Sequence, residues 1–179
     1  MPDLVLNDSL QWGQLPEYVK QAFKGEGEKV RLEAGYRLYK FSQFDIKRSD
    51  GSVSEWWSPV DAFGDDPGLD QRISLAMRNG VDLREIVRLY CAVKESWNAL
   101  TELIKIEMVV PAYAFWGKAS GQERGAAGPA QEGKIEDNHK TRNLPGNACQ
   151  FYIPNLKQEH IVEKEKLVAQ TLAKLPLSA

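Results

Sequence analysis

Apolar and polar residues along this chain recur with two different periods, and the period switches several times. From Pro16, the positions Tyr18, Val19, Ala22 and Phe23 fall at helical spacing, and Gly25 and Gly27 stop the pattern. Val30 to Phe44 then reads as one or two strands. In its clearest part Tyr36, Leu38 and Lys40 share one side while Arg37, Tyr39 and Phe41 share the other. Arg48-Ser49-Asp50-Gly51 is a turn, and Ser54 to Val60 is extended, with Ser58 held so by Pro59. The adjacent Trp56 and Trp57 must point opposite ways, one into the core and one to a cleft or solvent. Helical spacing returns over Leu69 to Asn79 and stops at Asn79-Gly80. Asp82, with Glu85 three residues on, caps a second helix. Its apolar positions Leu83, Ile86, Val87, Tyr90, Val93, Trp97 and Leu100 predict about five turns. Cys91 lies within that helix, and Arg84, Arg88 and Lys94 form a solvated face.

Period two resumes over Lys105 to Trp116, a long strand interrupted at Pro111 and ended by Gly117. Residues 119–142 are a polar insert of the kind that serves as a lid or stays unfolded. Asn143-Leu144-Pro145-Gly146 is a turn, and a short strand follows from Ala148 to Ile153, closed by Pro154. In that strand Ala148, Gln150 and Tyr152 share one face, while Cys149, Phe151 and Ile153 form the core face. Residues 156–175 carry a thin apolar stripe and predict a charged terminal helix. The pattern as a whole predicts a single α+β domain over residues 1–179, with its core at about 30–155. The expected architecture is a split, mostly antiparallel β-sheet with helices packed on one side and a C-terminal helix appended.

Composition narrows the chemistry. The formal charge of −2 argues against broad electrostatic binding to nucleic acid, and no apolar run is long enough to span a membrane. Two cysteines, Cys91 and Cys149, form no framework, which fits a reducing cytoplasm; the alternative is export by a route that reads no cleavable signal. The histidines are His139 and His160, and neither neighbours a Ser or Cys nucleophile motif. Metal-ligand spacing, a Gly-rich phosphate loop and a Gly-x-Ser-x-Gly motif are all missing from the sequence. What remains is chemistry in which the substrate carries its own leaving group and the protein positions and polarises it.

Four short motifs then carry a resemblance. They are Tyr36-Arg37-Leu38-Tyr39, Trp56-Trp57-Ser58, Trp116-Gly117, and Leu144-Pro145-Gly146 followed by Gln150-Phe151. In this order they resemble the ADP-ribosyltransferase-like fold, and most of all its bacterial toxin branches, including the necrotizing-toxin type of NAD glycohydrolase. The resemblance spans residues 34–60 and 106–154. It implies NAD as a substrate split at the nicotinamide–ribose bond, with no metal. Arg37, holding the NAD phosphates, and Gln150, near the ribose, would be the catalytic pair. Trp57 and Ser58, with Tyr39 and Tyr152, would bind the dinucleotide. Gln150 stands where protein-modifying members commonly carry Glu, which fits glycohydrolysis or transfer to an unusual acceptor. Gly146-Asn147-Ala148-Cys149 also departs from the run of glycines that the necrotizing type places before its Gln. The implied partners are a protein or nucleic-acid acceptor, where transfer occurs, and an immunity or carrier protein; no membrane is implied. The alternative reading is a non-catalytic interaction module or a phage- or secretion-associated binding protein, with the insert and the last helix as partner surfaces.

Overall fold

The computed structural model describes residues 4–94, 96–123, 143–144 and 146–168. Among the described residues, nine strands, three α-helices and two short 3-10 turns (Trp12–Gln14 and Gln158–His160) make up the regular structure: α1 (Glu17–Gln21), β1 (Glu28–Leu32), β2 (Arg37–Ser42), β3 (Trp56–Pro59), α2 (Leu69–Arg78), α3 (Leu83–Cys91), β4 (Glu102–Met108), β5 (Ala112–Lys118), β6 (Gln122–Glu123), β7 (Asn143–Leu144), β8 (Cys149–Tyr152) and β9 (Ile161–Val168). Seven of the strands form one antiparallel sheet in the order β1-β5-β8-β3-β2-β4-β9, and β6 pairs with β7 apart from it. The fold is therefore α+β with a mostly antiparallel sheet, as the period-two segments predict.

The alternation read from β2 and β8 decides where the cores lie. Leu38, Phe151, Ile153 and Cys149 belong to one cluster with Trp57, Trp116, Ile104 and Ile106. These residues come from both ends of the strand order, so the sheet curls and packs this face on itself. The opposite face carries the helices. Tyr39 and Phe41 pack with Leu69 of α2 and with Leu83, Ile86 and Val87 of α3, while Phe115 and Tyr152 pack with Val19 of α1. In β2 one face thus meets the curl and the other meets the helices, which is why Leu38 on one side and Tyr39 and Phe41 on the other are all buried.

The two ends of the sheet are joined by very little. The first half of β3 pairs with β8, through Trp56↔Tyr152 and Trp57↔Phe151. Its second half pairs with β2, through Tyr39↔Ser58 and Leu38↔Pro59. Beyond Tyr39 the β2–β3 ladder stops, and the strands fork apart. This is the split expected from the sequence, and it sits on four residues.

Three expectations need correction. The expected terminal helix over 156–175 is instead, within the described residues, the edge strand β9 paired along β4; residues 169–175 lie outside the described residues. Its alternating Glu163-Lys164-Glu165-Lys166 is met by Glu102, Lys105 and Glu107 of β4. Lys105–Glu165, Lys166–Glu102 and Lys164–Glu107 lie at 2.7, 3.2 and 3.4 Å. Complementary charge across an edge holds the strand in place and discourages a second one. Second, the helix expected to run to Leu100 ends at Cys91, because Ala92 turns left-handed (φ 53°). Arg88 is consequently buried rather than solvated, its Nη1 donating to the Val93 carbonyl at 3.0 Å just past that turn. Third, the long strand expected over Lys105 to Trp116 is two strands, β4 and β5, which lie in different parts of the sheet; Gly117 sits inside β5 rather than ending it. The polar insert lies largely outside the described residues, as does His139.

The ion pairs of β9 are half-exposed, so each is worth little in isolation. Reversing two of them together, Lys164→Glu with Lys166→Glu, is expected to cost about 1 kcal/mol at low salt and less at high salt, read as a shift in the urea midpoint.

Candidate functional site

Where β2 and β3 diverge, a cavity of about 890 Å³ opens through the fork, lined from both faces of the sheet. Tyr39, Lys40, Phe41 and Ser42 line it from β2, and Trp56, Trp57 and Ser58 from β3. Tyr18 and Ala22, in and just after α1, close one side, and Val87, Cys91 and Val93, in and beyond α3, close the other. Gln150 of β8 reaches it from the sheet floor.

Register explains why these side chains meet. Tyr39 pairs with Ser58 across β2–β3, and Gln150 pairs with Gly117 across β8–β5. Because Trp57 pairs with Phe151, the next step sets Ser58 beside Gln150. Tyr39, Ser58, Gln150 and Gly117 therefore form one row across the same face of the sheet. At Gly117 a Cβ would stand 2.7 Å from the Phe23 ring, so glycine lets the segment after α1 settle beside Gln150. No side-chain hydrogen bond ties the Gln150 carboxamide to another described residue.

The chemistry around the row is mostly neutral. The Tyr39 hydroxyl is raised in pKa first by burial, and the Ser58 side chain interacts with both this phenol and the Cys91 thiol. Burial pushes Cys91 up to about 11, so at neutral pH it is a thiol and no nucleophile. Behind Tyr39, Arg72 of α2 pairs with the buried Asp66. Trp57 is buried in the curled core, its Nε1 donating to the Ser54 carbonyl at 2.7 Å, and shows part of its ring to the cavity. Its neighbour Trp56 turns the other way onto the Tyr152 ring, with centroids 4.8 Å apart. The rule that adjacent strand residues face apart thus sends one tryptophan to the core and the other under α1.

Four of the six residues singled out from the sequence, Tyr39, Trp57, Ser58 and Gln150, line this cavity. Tyr152 does not line it: the ring is buried beneath Trp56, and burial raises its pKa. Arg37 shares the face of Tyr39 but lies outside the cavity lining. Its guanidinium grips Asp61 through both Nε (3.1 Å to Oδ2) and Nη2, with both side chains more than half exposed. Lys40 was missed by the sequence reading. It occupies a core-facing position on β2, and a lysine there is itself the signal.

Among the described residues no three His, Cys, Asp or Glu side chains gather as a metal site, and no helix is long and apolar enough to cross a membrane. No protein-family model matches the chain, and no curated protein does. Among solved structures, that of Tne2 in complex with Tni2 is similar in outline, with 9% identity and a TM-score of 0.44 over 82% of this chain and 95% of that one. A likeness this loose carries no argument about what the cavity does.

Proposed function

We propose that the cavity binds NAD and that the chain cleaves its nicotinamide–ribose bond, in the manner of the ADP-ribosyltransferase-like enzymes its motifs resemble. The observation that carries this reading is the convergence of Tyr39, Trp57, Ser58 and Gln150 on one cavity at the fork of the sheet. They come from three strands far apart in sequence, and the motifs that single them out contain no information about their contact. The size also fits, since ligand cavities of roughly 300–1,000 Å³ hold molecules of this class.

In the proposed reaction the aromatic walls flank the nicotinamide ring and the Gln150 carboxamide hydrogen-bonds the ribose. The ribosyl C–N bond breaks with its electron pair going to the nicotinamide nitrogen, which neutralises the pyridinium. C1′ is left cationic and is captured by water, whose proton passes to solvent. Positive charge grows on the ribose as the bond opens, so a contact to the ribose that tightens with it lowers the barrier. The experiment that tests the reading is nicotinamide release from NAD by the purified protein, alone and with cell lysate. Release alone supports glycohydrolysis, release only with lysate supports transfer to an acceptor, and no release in either condition overturns the reading.

Arg37 enters the proposal through its ion pair. An NAD phosphate that takes the same edge of the guanidinium must displace Asp61, so the two substitutions act with opposite signs. Asp61→Asn frees the fork and is expected to tighten NAD binding, while Arg37→Ala weakens it. Neither should change stability by more than about 1 kcal/mol, since the pair is exposed. Equal NAD affinities in both variants, measured by tryptophan fluorescence, remove Arg37 from the site.

A second reading has its own observation. Tyr18, Phe44 and Trp97 are 69%, 55% and 54% exposed, and all three line the same cavity. Exposed aromatics around a cleft favour coverage by a protein segment, which is the interaction-module reading. It is supported if NAD is neither bound nor cleaved.

A further inference from the structure

Lys40 has an unusual setting for a lysine. It stands on β2 between Tyr39 and Phe41, at the first step where the β2–β3 ladder has opened, and lines the cavity. Its side chain points away from the helix face toward the curled core. There Nζ meets the Ser54 hydroxyl and lies 5.5 Å from the centroid of the Trp57 ring. Among the described residues no carboxylate lies within ion-pair distance of it. Glu55, whose charge acts on it, is held by Arg48 through two hydrogen bonds of 2.8 and 2.9 Å. A hydroxyl and an indole face can solvate an ammonium but cannot neutralise it. Burial accordingly lowers its pKa to about 8, with the Glu55 charge opposing the shift and Arg48 adding to it.

A partly buried cation on the cavity lining, with no carboxylate at ion-pair distance among the described residues, is complementary to an anion. We infer that Lys40 seats an anionic group of the cavity's ligand, a phosphate of a diphosphate-bearing nucleotide, by direct contact with Nζ. Naming a nucleotide rests on the proposed function; the anion seat itself does not. The seat is separate from Arg37, which faces the other side of β2, lies outside the cavity lining and already carries a carboxylate. Lysine suits the task because its compact ammonium accepts an anion as a point charge.

The test uses inorganic pyrophosphate, with orthophosphate and acetate as separate arms. The lysines of the whole chain are labelled by reductive ¹³C-methylation, which keeps the positive charge, and the Lys40 resonance is assigned from its loss in Lys40→Arg. Pyrophosphate is expected to move the Lys40 resonance saturably and to raise its pKa, because an anion favours the charged form. In the unlabelled protein, Lys40→Met should weaken pyrophosphate binding at least about tenfold while Lys40→Arg keeps it within about threefold, as loss and retention of a charge-assisted contact require. Arg37→Ala should leave the response of Lys40 in place. An effect from orthophosphate equal to that of pyrophosphate narrows the ligand to a single phosphate group; an equal effect from acetate overturns the phosphate assignment. An unmoved Lys40 resonance overturns the seat even where another lysine responds, and does so without relying on a variant that folds. The two proposals fail separately. Saturable pyrophosphate binding at Lys40 without nicotinamide release keeps the seat and removes NAD, while release with an unmoved Lys40 removes the seat alone.

Discussion

Gln150→Ala is expected to cut nicotinamide release about 100-fold while changing NAD affinity less than about threefold, the signature of a contact made mainly in the transition state. The structural reason is that the carboxamide is uncommitted: it reaches the cavity, and no side-chain hydrogen bond holds it to another described residue. Truncating it leaves no buried partner stranded, so the expected stability change stays below about 1 kcal/mol. Gln150→Glu sharpens the test. A carboxylate in the same place stabilises the cationic ribose more strongly than an amide, so this variant should keep or raise turnover at neutral pH. It should also lose that gain as the pH falls through the carboxyl's own pKa, because the protonated form carries no charge. Single-turnover measurements across pH decide the matter. If Gln150→Ala and the native chain release nicotinamide at the same rate, the carboxamide is a spectator and the catalytic assignment falls.

The second large effect is on stability. Gly146→Ala is expected to cost about 3 kcal/mol and lower the melting temperature by roughly 10 °C. Gly146 sits at φ +70°, and an added Cβ would stand 2.4 Å from the Ala119 carbonyl oxygen and 3.0 Å from that of Ser120. The segment cannot easily retreat, because it is pinned on both sides. Gly146 N donates to the Leu89 carbonyl at 3.0 Å, Ala148 N to the Tyr90 carbonyl at 2.9 Å and Asn147 N to the Ala119 carbonyl at 2.9 Å. This turn ties the last turn of α3 to the entry of β8, directly upstream of Gln150. Gly80→Ala is the matched control: its φ is +61° but nothing lies within 4 Å of the new Cβ, so only the backbone term of about 1–2 kcal/mol applies. Equal losses in calorimetry would show that the close approach at Gly146 contributes nothing.

What could be read from the sequence was what short-range patterning determines. The two faces of β2 and of β8 followed from alternation, and α2 and the start of α3 from helical spacing and the Asp82 cap, whose side chain accepts from Arg84 N at 2.8 Å. The misreadings have a common cause, dependence on a distant partner. Glu163-Lys164-Glu165-Lys166 suits a solvated helix as well as a strand, and only the opposite charges of β4 select the strand. The helical spacing past Cys91 was real, yet Ala92 leaves the helix so that the Val93 carbonyl can accept from Arg88. Arg37 looked free because Asp61 lies beyond the end of β3, where no local pattern brings it back. Lys40 was legible in principle: it shares the core-facing side of its strand with Leu38, and an ammonium in that position asks for an explanation.

The strand order also sets a timetable for synthesis. A chain made from its N-terminus can pair neighbours only as they emerge, yet β8 lies in the interior of the sheet between β5 and β3. Until the segment Cys149–Tyr152 has been made, β5 has no partner on one side, and β3 is joined to the growing sheet only at Ser58 and Pro59. The floor of the cavity and the Gln150 that completes it therefore arrive together and late, after both tryptophans and Lys40 are already exposed. At about 5–20 residues per second, the nascent chain spends several seconds with an open apolar fork and no finished site. An aggregation-prone interval of that kind calls for a holding chaperone during translation. It also means that truncated products ending before residue 149 carry none of the chemistry proposed for the complete fold.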